Sequence, residues 1–322
     1  MLPSIKTLEL KFVQCNEMVL EKVSDLLSLS SLYMEGISNL SLLPNGFFQH
    51  LTTLQELEIH DFNEMMTMVG LQHLTSLERL VISKCPKLVS LTNNEEEEER
   101  DQGRLLPSCL KYLELYNCDN LKKLAQSLCN LHCLTEIIIE GATGLACLPK
   151  ELLTLTSLHK LSIYNCPSSM SLVEMKLPIG LQSLHISNCS NLQRLTLSSC
   201  PSLVSLAEMK LPIGLQFLNI VKCNNLKSLP DELHSLTSLI ELQIKECPAL
   251  ESFPDIQLPT MLQKVHIQNC GKLNSPPKGL YELKNLKELR IEECSFLTEG
   301  KNIENDEMWS MNAVQGNRAF LL

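Results

Sequence analysis

One short phrase, L-x-x-L-x-[IL]-x-x-C-x-x-L with tolerant spacing, recurs thirteen times along the 322 residues of this chain. Clear copies begin at Leu77, Leu110, Leu158, Leu181, Leu215, Leu239, Leu262 and Leu286. Most starts fall at a near-constant step in the low twenties, as in the series Leu110, Leu134, Leu158, Leu181 and again in Leu215, Leu239, Leu262, Leu286. A unit this short cannot bury its own apolar face and must stack on copies of itself. The period therefore constrains the architecture before any other property of the chain is considered.

A period in the twenties with this leucine spacing predicts an α/β leucine-rich-repeat solenoid. The expected form is a curved horseshoe with a parallel β-sheet on the concave face and short helices or irregular segments on the convex face. In Leu239–Cys247 the apolar Leu242 and Ile244 alternate with polar neighbours, the period-two pattern of a half-buried strand. Pro44, Pro149, Pro230 and Pro254 follow core positions, where a turn ends the ladder. The stretch Pro230–Thr237 has room for one short helix. Looser copies start at Ile5, Leu29, Leu54 and Leu134, with Val13, Ile37, Phe62 and Ala142 where later copies have cysteine. The array spans 1–298 as about twelve or thirteen repeats, and 299–322 reads as a frayed tail.

Two irregularities interrupt the period. The step from Leu77 to Leu110 is much longer than the others, and its excess, an insertion over 92–105, carries five consecutive glutamates, Glu95 to Glu99. Such a run cannot enter a core and reads as a solvated loop. Leu192 opens a copy only half a period after Leu181, too soon for a full coil, so one of the two segments is expected on a flank. The opening Leu2-Pro3-Ser4 repeats the linker of Leu106-Pro107-Ser108, which reads as a start inside an array.

Composition narrows function. A solenoid grows by stacking, so length does not imply two cores. The net charge of −10 argues against nucleic acid, whose recognition needs a basic footprint, and against anionic membrane. No apolar run is long enough to span a bilayer. Nine of the fourteen cysteines share one repeat position. They read as small buried hydrophobes rather than disulfides, and reduced thiols point to the cytosol or nucleus.

Motifs for chemistry are sparse. The chain has no G-x-x-x-x-G-K-[ST], G-x-S-x-G or H-E-x-x-H. Cys129, His132 and Cys133 resemble half a zinc site without a second half, and His60-Asp61 lacks a nucleophile. No catalytic residue, metal or cofactor is expected. The variable strand positions are more informative. Tyr33, Tyr112, Tyr116 and Tyr164, four of the five tyrosines, fall there, with Glu58, His60, Ile138, His185, Phe217 and His266. Exposed tyrosine has little folding rationale and suits partner contact, since it buries large area at low entropy cost. These ten residues are the expected protein-binding surface. Charge also drifts along this face: Glu56, Glu58, Asp61, Glu114, Glu136 and Glu140 make its first half acidic, which suggests a partner basic at one end.

The phrase Leu229-Pro230-Asp231-Glu232-Leu233-His234-Ser235-Leu236-Thr237-Ser238-Leu239, running on to Cys247-Pro248, resembles the repeats of plant nucleotide-binding leucine-rich-repeat disease-resistance proteins. Cys85-Pro86, Cys200-Pro201 and Cys247-Pro248 repeat the C-P-x-L phrase common in that family, and the acidic-Trp tail at Glu304–Trp309 resembles its ending. The resemblance covers roughly 2–298. It implies the sensor half of an intracellular immune receptor, without catalysis. Its partners would be a pathogen effector or guarded host protein and, intramolecularly, a nucleotide-binding domain that lies outside this sequence. The alternative is a stand-alone scaffold or adaptor, such as a substrate-recruiting subunit for ubiquitin ligation.

Overall fold

The computed structural model describes residues 5–12, 17–37, 40–91, 106–122, 124, 128, 131–145, 152, 154–166, 177–189, 192–294 and 318–321. The glutamate run, Cys129, Pro149 and residues 299–317 lie outside them. The chain divides into two units, Met1–Met170 and Ser171–Leu322.

Unit 1 is a ladder of seven parallel strands in sequence order: β1 (Thr7–Lys11), β2 (Ser31–Glu35), β3 (Glu56–His60), β4 (Arg79–Ser83), β5 (Tyr112–Tyr116), β6 (Glu136–Glu140) and β7 (Lys160–Tyr164). Each strand has five residues, and the second and fourth point inward. From β2 onward these inward pairs, such as Leu57 and Ile59 or Leu113 and Leu115, are fully buried. In β1 they are only half-buried. The insertion after β4 leaves the ladder in register, with Arg79 opposite Tyr112 and Ser83 opposite Tyr116. Between β1 and β2 the return path is a true helix, α1 (Glu17–Ser24), which buries Leu20 and Val23. Three later returns each contain a one-turn 3-10 helix, at Leu71–His73, Leu233–Ser235 and Leu280–Glu282, and the one before β3 is made of turns alone.

In unit 2, β8 (Ser183–Ser187) is followed by a parallel ladder of β9 (Arg194–Ser198), β10 (Phe217–Val221), β11 (Glu241–Lys245), β12 (Lys264–Cys270), β13 (Glu288–Cys294) and β14 (Arg318–Leu321). Leu181 and Leu192 both lead into strands, so neither segment is a flank. The half-period step is too short for a return path, and what it breaks is the ladder, which begins at β9 without β8. The short helix expected after Pro230 is the 3-10 turn Leu233–Ser235.

A left-handed residue ends nearly every strand. Asp61, Lys84, Asn117, Asn165, Asn188, Ser199, Lys222, Glu246, Asn269 and Glu293 have φ between 51° and 58°. Glycine takes the same place at Gly36 and Gly141. This residue turns the chain inward while its N–H still donates to the last carbonyl of the next strand, as from Lys84 to Tyr116 (2.8 Å) and from Lys222 to Lys245 (3.0 Å). Gly141 has a second reason to be glycine: a Cβ there would stand 2.3 Å from Oδ1 of Asn117.

The inward turn delivers the cysteine. Cys85, Cys118, Cys166, Cys189, Cys200, Cys223, Cys247, Cys270 and Cys294 are free thiols and buried. Each donates to the carbonyl two residues back, for example Cys166 to Tyr164 at 3.2 Å and Cys247 to Lys245 at 3.3 Å. Burial pushes the Cys85 thiol up to about 12 and the Cys118 thiol up to about 11. A small residue that can also fill a carbonyl's lone pair fits this position, and Ile37, Phe62 and Ala142 fill it by packing alone. With its strands in parallel register, leucine ladder and repeated strand-exit turn, the chain is a leucine-rich-repeat solenoid. Among the described residues no helix is long and apolar enough to cross a membrane.

Candidate protein-binding surface

In β1 to β13 the first, third and fifth residues face away from the core, and the parallel register aligns them in three rows along each ladder. All ten residues picked out by the sequence occupy these rows. Tyr33, Glu58, Ile138, His185 and His266 are third residues. Tyr112 and Phe217 are first, and His60, Tyr116 and Tyr164 are fifth.

In unit 1 the outward face carries seven carboxylates, Glu9, Glu35, Glu56, Glu58, Glu114, Glu136 and Glu140, and three cations, Lys11, Arg79 and Lys160. All three cations are engaged. Lys11 pairs with Glu9 at 2.9 Å, and Lys160 with Glu136 at 2.7 Å. Arg79 bridges two strands, binding Glu58 on β3 and Glu114 on β5. Its guanidinium thus spans Val81, which lies between those two glutamates in the row and is only 3% exposed.

The structure brings Tyr33, Glu58 and His60 together. The Tyr33 ring stacks on His60, while His60 Nε2 lies 3.2 Å from Glu58. The Tyr33 hydroxyl donates to Glu35 at 2.9 Å. Burial, reinforced by that carboxylate, pushes its pKa up to about 12. Farther along, β5, β6 and β7 carry Tyr112 in the first row, Ile138 in the third, and Tyr116 and Tyr164 in the fifth. Tyr112 is exposed, and the Tyr116 hydroxyl donates to Glu114 at 2.8 Å. Burial together with that carboxylate also raises the Tyr116 pKa.

In unit 2 the three expected residues stand apart. His185 shares a 2.9 Å hydrogen bond with Ser183. Phe217 is already covered on one face by the guanidinium of Arg194, whose carbon lies 3.6 Å from the ring centroid. His266 meets Gln243 and sits beside Glu288, which Lys264 and Arg290 also approach. Burial lowers the His266 pKa against the pull of Glu288. The acidic character of the unit 1 face does not continue here.

Arg79 and Ser162 belong to the outward rows and carry no signal in the repeat pattern. Ser162 occupies a third, outward position of β7 yet is fully buried, and its hydroxyl has no partner among the described residues. A serine in a row of large side chains was its only trace in the sequence. The half-zinc pattern gains nothing: Cys133 is exposed, and no group of three ligating side chains occurs among the described residues.

No family model and no curated protein matches the chain. Similar solved structures are repeat proteins. One is the leucine-rich-repeat domain of the type III effector XopL, at 19% identity over 85% of this chain and 80% of that one, with a TM-score of 0.31. Another is an internalin from Listeria monocytogenes, at 17% identity over 99% and 87%, with a TM-score of 0.35. A third is a leucine-rich-repeat protein of Leptospira interrogans, at 16% identity over 98% and 96%, with a TM-score of 0.36.

Proposed function

We propose that this chain is a non-catalytic protein-recognition array, serving as the sensor region of an intracellular plant immune receptor. The observation that carries this reading is the outward face of unit 1. Its backbone is locked by parallel pairing, and scarce tyrosines stand there among carboxylates on successive strands. A rigid sheet loses little entropy when a partner lands on it, and tyrosine supplies area together with a hydroxyl. The plant-receptor part rests on the C-P-x-L and L-P-x-x-L phrases. In that setting the partners are a pathogen effector or guarded host protein, and a nucleotide-binding domain held in an inactive state. Binding would act by favouring one conformation of the whole receptor. The free-thiol ladder suits the cytosol or nucleus.

The test is the double variant Tyr112→Ala/Tyr164→Ala, assayed for melting temperature and for proteins co-purified from plant tissue. Unchanged melting with loss of partners supports the reading. Full retention of partners would move the interface off this face. Co-expression with a plant nucleotide-binding domain in trans tests the receptor assignment, and absence of association favours a free-standing adaptor.

A further inference from the structure

We infer that the β5–β7 patch is a receptor for a lysine or arginine side chain on a basic segment of a protein partner, with Glu140 as its counter-charge. This rests on the reading of the sheet face as a protein-binding surface. The strand register sets Glu140 directly between Tyr116 and Tyr164 in the fifth-position row. Neighbouring strands lie about 4.8 Å apart. A cation seated over Glu140 is therefore about one strand spacing from each ring column, inside the roughly 6 Å range of cation–π attraction. Carboxylate and flanking aromatic rings together make a site for a planar or compact cation, where an anion or an apolar group would leave the charge unmatched.

No cation of unit 1's outward face is free to fill this position. Lys160 is held by Glu136, and Arg79 by Glu58 and Glu114. The Glu140 carboxylate receives the Asn165 side-chain amide, at 3.0 Å, and meets no cation among the described residues. The wider face favours the same partner, with seven carboxylates to three cations. Such an excess raises the rate of encounter with a basic segment and penalises an acidic one.

A second observation is independent of charge. Ser162 stands on the same face of β7, opposite Ile138 and between Lys160 and Tyr164, fully buried with an unpartnered hydroxyl. Buried hydroxyls are ordinarily satisfied. Once the side chains covering it part, an N–H donor seated beside Tyr164 would supply the missing bond, and lysine and arginine side chains are donors only.

The experiment is selection from a random linear dodecapeptide display library on the full chain, followed by titration of the selected peptides. The variants are Glu140→Gln, Tyr116→Ala/Tyr164→Ala, Ser162→Ala and Glu251→Gln, the last removing the same charge away from the sheet face. Melting temperatures check that each variant folds. The expected peptides are rich in lysine or arginine. They lose about tenfold or more in affinity with Glu140→Gln and with the double tyrosine variant, but barely change with Glu251→Gln. Ser162→Ala weakens them without lowering stability. Peptides that depend on Tyr164 yet lack basic residues would overturn the cation site and leave the face reading standing. So would equal losses from the two charge removals. Peptides indifferent to every outward substitution, or no selected peptides, would overturn both.

Discussion

Tyr33 and His60 stack with ring centroids 4.8 Å apart and planes 25° from parallel, although they belong to successive repeats of the chain. They meet because β2 and β3 pair in register and each contributes an outward side chain to the same diagonal. The contact ties a tyrosine to a histidine that also faces Glu58, so part of this surface is organised before any partner arrives. Preorganisation of this kind lowers the entropy lost on binding.

The alkaline titration of Tyr33 reports that organisation. Its folded pKa is pushed up to about 12 by burial and by the hydroxyl's bond to Glu35, against about 10 for an unfolded tyrosine. The folded state thus holds the proton more tightly. The resulting stabilisation is complete below pH 10 and is lost as pH rises from 10 through 12. Ultraviolet difference spectra of wild type minus Tyr33→Phe should show a phenol ionising near 12. An ionisation near 10 would mean that Tyr33 is neither buried nor held by Glu35.

Inward and outward residues of one strand pattern should respond differently to truncation. Leu242→Ala opens a cavity in a fully buried row and should cost about 2–5 kcal/mol in denaturant unfolding. Tyr164→Ala removes a half-buried outward ring and should cost about 1 kcal/mol or less. Similar losses at both sites would contradict the assignment of faces.

The spacing of leucines made the strands legible because each needs only five residues and an inward pair, information that is entirely local. The cysteine position was legible for the same reason. Helix α1 was not: Val19, Leu20 and Val23 carry a helical spacing, but they fall in a return segment where the repeat leaves sequence unconstrained. Nor was the Arg79 bridge, because Glu58 and Glu114 lie 21 and 35 residues away and meet it only through register. Leu181 and Leu192 misled in a different way. Each phrase specifies its own strand, and only ladder continuity, which is not local, depends on the step between them. Ser162 shows the limit most clearly, since its burial depends on neighbours that no pattern in β7 reveals.

Thiol chemistry should divide by position. Cys133 is exposed, whereas the ladder cysteines are buried and, at Cys85 and Cys118, hold their protons to about 12 and about 11. Reaction needs an accessible thiolate. Brief treatment of the native chain with a maleimide at neutral pH should label Cys133 and spare the nine ladder positions, as read by peptide mass mapping. Unfolding should expose all of them. Labelling of Cys223 as fast as Cys133 would mean that the ladder opens readily.

The strand-exit turn permits a test at two adjacent serines. Ser198 ends β9 in extended backbone, whereas Ser199 is left-handed at φ 56° and donates its N–H to Val221 at 2.8 Å. A side chain in the left-handed region costs roughly 1–2 kcal/mol, and glycine avoids that cost while losing more entropy on folding. The first effect is the larger at Ser199, where the backbone forces the conformation, so Ser199→Gly should stabilise by about 0.5–1 kcal/mol. At Ser198 only the entropy remains, and Ser198→Gly should destabilise by about 0.5–1 kcal/mol. Denaturant midpoints of the two variants should therefore move in opposite directions from wild type. If both moved downward, the left-handed turn at Ser199 would not be the strained position that the repeated geometry makes it.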